Sequence, residues 1–184
     1  MFLNNFKTIL IEEIMPTNLE LKIKLNSFNQ VEKYLKEINA THTATLNQKD
    51  VYYKSNSGLL KLRIENGNQS IIKYSRDEKS KNRFSNFEVL YFSAGNAEKF
   101  FGELLKVETV VQKKRILYMY NNTRVHLDRV KNLGYFMELE TLVLFGKIDA
   151  KKRFDEIVDL LHLHDYLQIK KSYRDLILAE NYKK

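Results

Sequence analysis

Arg124, His126 and Asp128 occupy alternate positions of TRVHLD, and Glu138 and Glu140 do the same in GYFMELE. Lys61, Arg63 and Glu65 repeat the spacing in LLKLRIE, Lys113 and Arg115 in QKKR, and Glu20, Lys22 and Lys24 in NLELKIKL. Guanidinium and ammonium groups hold phosphate oxygens, and carboxylates hold divalent cations. A spacing of two puts these groups on one face of a β-strand. An ordinary half-buried sheet turns that face to water, which gives no reason for acids and bases to recur together on strand after strand. Closing the sheet into a barrel turns the charged rows inward. Burying unpaired charge costs several kcal/mol per ion, so such a lumen implies a polyanion together with a divalent cation.

Periodicity identifies the elements that must carry these rows. Asn18 to Leu25 sets Leu19, Leu21, Ile23 and Leu25 against Glu20, Lys22 and Lys24, as a strand does. Ser27 with Gln30 forms a capping box ahead of Phe28, Val31, Leu35 and Ile38, which predicts a helix over Ser27 to Asn39. A Thr- and Ala-rich link leads to a strand over Leu46 to Tyr53, with Gln48, Asp50 and Tyr52 on one side. Turns at Ser55 to Gly58 and Asn66 to Gln69 bracket LLKLRIE, and SIIKYSR follows with Ile72, Tyr74 and Arg76 together. The charged stretch Asp77 to Asn82 reads as a solvated loop before a strand from Arg83 to Phe92. Ala97 to Lys106 is a second amphipathic helix, VVQKKRILYMY a strand, and Thr123 to Glu140 a hairpin turning at Lys131 to Gly134. A helix from Asp149 to His162 and another capped by Ser172 with Asp175 close the chain. The expected fold class is α+β, a closed eight-stranded antiparallel β-barrel with flanking helices.

The chain has 184 residues and 43% hydrophobic content, enough for one full core. It has no cysteine, which excludes thiolate catalysis, thiolate metal sites and disulfides and suits a reducing cytoplasm. A net charge of +8 favours an anionic partner: nucleic acid, an acidic membrane surface or a polyphosphate. No segment spans a membrane, because Glu12 and Glu13 interrupt the apolar N-terminal run. The single Pro16 marks the start of the domain proper, leaving 1–14 as an extension and 15–184 as one domain.

Together, NLELKIKL, LLKLRIE, QKKR, TRVHLD and GYFMELE resemble the CYTH or triphosphate tunnel metalloenzyme superfamily over about Met15 to Leu178. The adenylyl-cyclase-like branch, class IV, is the nearer one. The resemblance implies a barrel tunnel that binds a triphosphate through basic residues and Mg²⁺ or Mn²⁺ through acidic ones. Glu20 and Lys24 match the first Glu and the Lys of the family's Glu-x-Glu-x-Lys signature, while Lys22 stands where its second Glu belongs. Lys61 and Arg63, then Lys113 and Arg115, match its two basic pairs, and Arg124 matches a phosphate-binding Arg. The resemblance thus implies phosphate binding by Lys24, Lys61, Arg63, Lys113, Arg115 and Arg124; Arg76, on the inward face of SIIKYSR, is expected to join that clamp, and Lys22 to contact phosphate in place of a metal. It implies catalysis and metal binding by Glu20, Asp128, Glu138 and Glu140. Lys22 removes one oxygen ligand and adds repulsion toward a cation, which leaves the number of metals open.

Conversion of ATP to cyclic AMP and pyrophosphate is the first expected reaction. Hydrolysis of inorganic, thiamine or nucleoside triphosphate is the second, and non-catalytic binding, suggested by Lys22, the third. RNA ranks last, because RNA modules set exposed aromatics beside their basic residues and here the bases alternate with acids. A homodimer stays open. His162 and His164 diverge on a helix and read as structural or surface residues. His126 shares the charged face and suits either a ligand or a structural hydrogen bond. Tyr52 and Tyr74 suit base stacking or packing, and Tyr173 a tunnel plug or core packing.

Overall fold

The computed structural model describes residues 17–76 and 84–181, with the side chains of 75, 76, 85 and 86 left out. The expected extension at 1–14 and the loop Asp77 to Asn82 lie outside the described residues.

Alternation is realised in eight strands: β1 (Thr17–Leu25), β2 (Thr41–Tyr53), β3 (Leu59–Glu65), β4 (Asn68–Arg76), β5 (Phe84–Phe92), β6 (Val107–Tyr120), β7 (Thr123–Val130) and β8 (Gly134–Leu142). All pairings are antiparallel, and the ring runs β1-β5-β4-β3-β2-β6-β7-β8 and back to β1. Among the described residues, the β1–β5 seam pairs Thr17, Asn18 and Leu19 with Asn86, Ser85 and Phe84. Beyond it, the backbone carbonyls of Glu20 and Lys22 accept from Gln168 Nε2 at 3.4 Å and from the Ile169 amide at 2.8 Å. Gln168 and Ile169 thus lie along the edge of β1 beyond its described pairing with β5.

β2 begins at Thr41 instead of Leu46, because the long β6 supplies partners as far as Met119 and the β-branched Thr41, Thr43 and Thr45 suit that ladder. The β3–β4 turn rests on Asn66 and Gly67, both with positive φ (47° and 87°), the requirement of a tight type I′ hairpin.

The helices are α1 (Asn29–Glu37), α2 (Ala97–Leu104), α3 (Lys147–Leu160) and α4 (Tyr173–Asn181). α1 lacks the expected Ser27–Gln30 box: it starts after Phe28, whose own backbone is already helical and makes no side-chain cap. Phe28 instead meets Tyr135 edge-on with ring centroids 5.0 Å apart, and this contact sets the entry of the helix. α2 stops at Leu104 because Leu105 is extended. The box at α4 is present, the Asp175 amide donating to Ser172 Oγ at 3.1 Å and the Ser172 amide to Asp175 Oδ2 at 3.2 Å.

The apolar rows face outward under these helices. Val31 and Leu35 of α1 and Ile157 of α3 pack with Ile23, Val125, Leu127, Met137 and Leu139 on the outside of β1, β7 and β8. Ala97 and Phe101 of α2 cover Val51, Tyr53 and Leu62. α4 is different: its Tyr173, Leu176 and Ile177 pack against Tyr52, Val111, Val130 and Phe136, which lie on the lumen side of their strands. One end of the barrel is therefore stoppered by apolar side chains. No helix among the described residues is long and apolar enough to cross a membrane.

Leu139 is fully buried between Glu138 and Glu140, and its outward anchorage fixes the inward direction of both acids. Leu139→Ala should lower stability by about 2–5 kcal/mol, measured by urea unfolding.

Candidate functional site

Two buried carboxylates organise the lumen. Asp50 on β2 takes Arg63 of β3 in a two-pronged bond, Nε to Oδ1 at 2.8 Å and Nη2 to Oδ2 at 2.9 Å, and Lys61 Nζ at 2.8 Å. Asp128 on β7 repeats the arrangement with β6: Arg115 Nε to Oδ1 at 2.7 Å, Nη2 to Oδ2 at 2.6 Å, and Lys113 Nζ at 3.0 Å. In each case Asp and Arg are direct cross-strand partners and the Lys lies two residues before the Arg. Forked contacts of this kind fix the guanidinium plane. Burial, the largest influence on Asp50, pushes its carboxyl up, but Arg63 and Lys61 together hold it well below the usual carboxylate range. Asp128 shows the same balance, with Arg115 and Lys113 prevailing over burial. Each half therefore gathers two cations on one anion. The excess is felt at Lys61, whose ammonium is pushed down to about 7 by burial and then by Arg63.

Above these anchors is a cavity of about 410 Å³ with two unlike walls. Lys61, Arg63, Lys113, Arg115, Glu138 and Glu140 line one of them, and the other is apolar. There β4 and β5 contribute Ile72 beside Val89 and Tyr74 beside Phe87, with Tyr91 beyond. Among the described side chains of β4 and β5, those that line the cavity are uncharged. At the stoppered end, the Tyr173 hydroxyl donates to Asp128 Oδ2 at 3.0 Å, and the ammoniums of Lys22 and Lys113 lie 4.1 and 4.9 Å from its ring centroid. Tyr173 is both core and floor of the lumen. Tyr52 and Tyr74 meet through their hydroxyls at 3.4 Å, with Lys61 over both rings.

At the other end, Arg124 forks onto Glu140 Oε2, with Nε at 3.1 Å and Nη2 at 2.8 Å. Glu138 lies between Arg115 Nη2 at 2.7 Å and Lys22 Nζ at 3.1 Å. Burial pushes the Glu138 carboxyl up, yet Lys22 is the strongest pull in the other direction and it ends well below the usual range. Lys22 also donates to the Lys171 carbonyl at 3.1 Å. Beside the two glutamates stands His126, pushed toward its neutral form by burial and then by Arg115. The donor atoms of His126, Glu138 and Glu140 lie within 4.8 Å of one another. His126 Nδ1 is buried and has no hydrogen-bond partner, so this corner fits a divalent cation.

The sequence-derived set divides accordingly. Lys22, Lys61, Arg63, Lys113, Arg115 and Arg124 line the cavity together with Glu20, Glu138 and Glu140. Lys24 does not line it: the residue is exposed and its ammonium lies 5.8 Å from the Phe136 ring. The Arg76 side chain lies outside the described ones. Asp128, expected among the metal ligands, is fully buried beneath the cavity with its oxygens engaged by Arg115, Lys113 and Tyr173, and is a positioning residue in this geometry. Asp50, its counterpart, was absent from the expected set. The repeated Lys-x-Arg spacing at Lys61/Arg63 and Lys113/Arg115 is the signal that finds it, since each pair needs an inward acid on the adjoining strand. His162 and His164 are exposed and do not join the site.

The fold and this lumen define a class: antiparallel barrels that enclose an anion between paired bases and acids. The chain belongs to the CYTH domain family, whose pattern matches residues 16–172. A Methanocaldococcus jannaschii protein described as a candidate adenylate cyclase is 25% identical over 169 residues, which cover 86% of this chain and 97% of that one. A solved Pyrococcus horikoshii structure is 26% identical, with a TM-score of 0.72 over 86% of this chain and 98% of the other. A Hippeastrum protein described as a candidate adenylyl cyclase with dominant triphosphatase activity shares the fold at 11% identity, with a TM-score of 0.65 over 90% of this chain and 96% of its own.

Neutralising either anchor takes the shared carboxylate from a buried Arg and Lys, although Arg115 keeps Glu138. Asp50→Asn and Asp128→Asn should each cost about 3–5 kcal/mol of stability, read by chemical denaturation.

Proposed function

We propose that this chain is a divalent-metal-dependent enzyme that admits a nucleoside triphosphate to its lumen and converts ATP to cyclic AMP and pyrophosphate. The observation that carries this reading is the two-sided lumen: bases and carboxylates on one wall match phosphates and a cation, and the apolar aromatic wall matches a nucleoside. The candidate adenylate cyclase among the relatives supports the choice of ATP.

Transfer at phosphorus demands positioning and charge neutralisation more than covalent chemistry. Arg63 and Lys61 on one anchor, and Arg115 and Lys113 on the other, present donors to the triphosphate from the charged wall, with Arg124 at the mouth. Asp50 and Asp128 hold these donors in place before the substrate arrives, so little reorganisation is left for the reaction. His126, Glu138 and Glu140, with Glu20 nearby in the lining, would hold the cation. Bound there, the cation supplies neutralisation of the phosphate oxygens. In cyclisation the ribose 3′ oxygen bonds to the α-phosphorus, the bond from that phosphorus to pyrophosphate breaks, and the hydroxyl proton passes to water. The second reading, attack of water at the γ-phosphorus, is favoured by the Hippeastrum protein of this fold, described as dominantly a triphosphatase.

Incubation with ATP, inorganic triphosphate or thiamine triphosphate and Mg²⁺ or Mn²⁺, followed by product identification, separates these reactions. Cyclic AMP with pyrophosphate is the expected outcome; orthophosphate selects hydrolysis, and tight binding without turnover refutes both. Arg124→Ala should weaken triphosphate binding by about 1.5–3 kcal/mol, roughly ten- to a hundredfold, in calorimetry.

Lys61 gives a pH signature. At about pH 8 its group in the open lumen is mostly neutral, while a bound polyanion favours the ammonium. Triphosphate binding should therefore take up a proton at about pH 8 and lose this uptake near pH 6, where Lys61 is already charged. Calorimetry in buffers of different ionisation enthalpy measures the uptake.

A further inference from the structure

We propose that His126 is a nitrogen ligand to the divalent cation and that the lumen holds one such ion, at His126, Glu138 and Glu140, with a preference for Mn²⁺ over Mg²⁺. This deepens the reading of a metal-dependent lumen and rests on it.

The geometry starts from an unsatisfied atom. His126 is 4% exposed, and its Nδ1 has no hydrogen-bond partner. Buried polar atoms are almost always paired, so an orphan nitrogen beside two carboxylates points to something that bridges them. Its nearest oxygens are Glu140 Oε1 at 3.6 Å and Glu138 Oε2 at 4.0 Å. A separation of 3.6 Å is too long for a hydrogen bond. Two neighbouring ligands on one ion, with bonds of ~2.1 Å, stand ~3.0–3.5 Å apart, close to what is seen. Glu140 turns its other oxygen, Oε2, to Arg124, which leaves Oε1 directed at His126. The three residues are cross-strand neighbours, His126 directly opposite Glu138 and Arg124 opposite Glu140, so the cluster is held by the β7–β8 ladder instead of a loop.

The count of one follows from the donors: among the described residues, His126, Glu138 and Glu140 form the one group of three such side chains whose ligand atoms lie within 4.8 Å of one another. Glu138 also carries Lys22 Nζ at 3.1 Å on Oε1 and Arg115 Nη2 at 2.7 Å on Oε2. The preference for Mn²⁺ follows from the donor set. Mg²⁺ takes oxygen ligands and water, whereas an imidazole nitrogen suits transition metals.

The test is electron paramagnetic resonance of Mn²⁺ added to the full chain, with and without inorganic triphosphate. One ion per chain is expected, with a ¹⁴N modulation that becomes a ¹⁵N signal when the protein carries ¹⁵N-histidine and disappears in His126→Gln. In competition, Mg²⁺ should displace Mn²⁺ only at about tenfold higher concentration, and this ratio should collapse in His126→Gln. The labelling result needs no variant, so it stands even if His126→Gln fails to fold. Mn²⁺ bound without nitrogen modulation overturns the proposal and leaves a carboxylate-only metal lumen standing. Two ions per chain overturn the count. No Mn²⁺ bound in either condition removes both this proposal and the metal-dependent reading it rests on.

Discussion

The forked Arg–Asp contact, made twice, is the interaction on which the lumen depends. Arg63 on Asp50 and Arg115 on Asp128 each join adjacent strands at directly opposed positions. A buried ion pair stabilises little after desolvation, and its breakage is severe. What the pairs supply is direction: four basic side chains are fixed at the base of a cavity before any anion enters. Burial and then the neighbouring Arg63 lower the proton affinity of Lys61 among these groups.

The outer shell makes such an interior tolerable. Each strand that turns charge inward turns Ile, Leu, Val or Met outward, where α1, α2 and α3 cover them. The barrel therefore has its hydrophobic core outside the ring and its polar centre within. At the α4 end apolar packing crosses into the lumen, and there Tyr173 links the two regimes, packing on Phe136 while its hydroxyl meets Asp128.

Much of this was legible in the residues. Alternation in NLELKIKL, LLKLRIE and TRVHLD placed the strands, and the recurrence of both signs of charge on one face indicated closure. The family assignment and the eight-stranded α+β barrel agree with that reading. What alternation could not convey was depth. Asp128 and Glu138 share a face in the sequence, yet one lies beneath the cavity and the other on its wall, because register with β6 decides which acid meets Arg115 Nε first. Asp50 escaped for the same reason, as did the apolar lining of β4 and β5, whose members read as ordinary strand packing. Ser27 failed as a cap because a tertiary contact, Phe28 on Tyr135, prevailed over a local preference.

The run from Gln168 to Lys171 lies along β1 where its described pairing with β5 ends, occupying the carbonyls of Glu20 and Lys22 and receiving the Lys22 ammonium. A bare strand margin is a template for adding foreign β-structure. These contacts take up the two carbonyls that such an addition would use, and a chain cut short before Gln168 would bare them and release Lys22 from the Lys171 carbonyl.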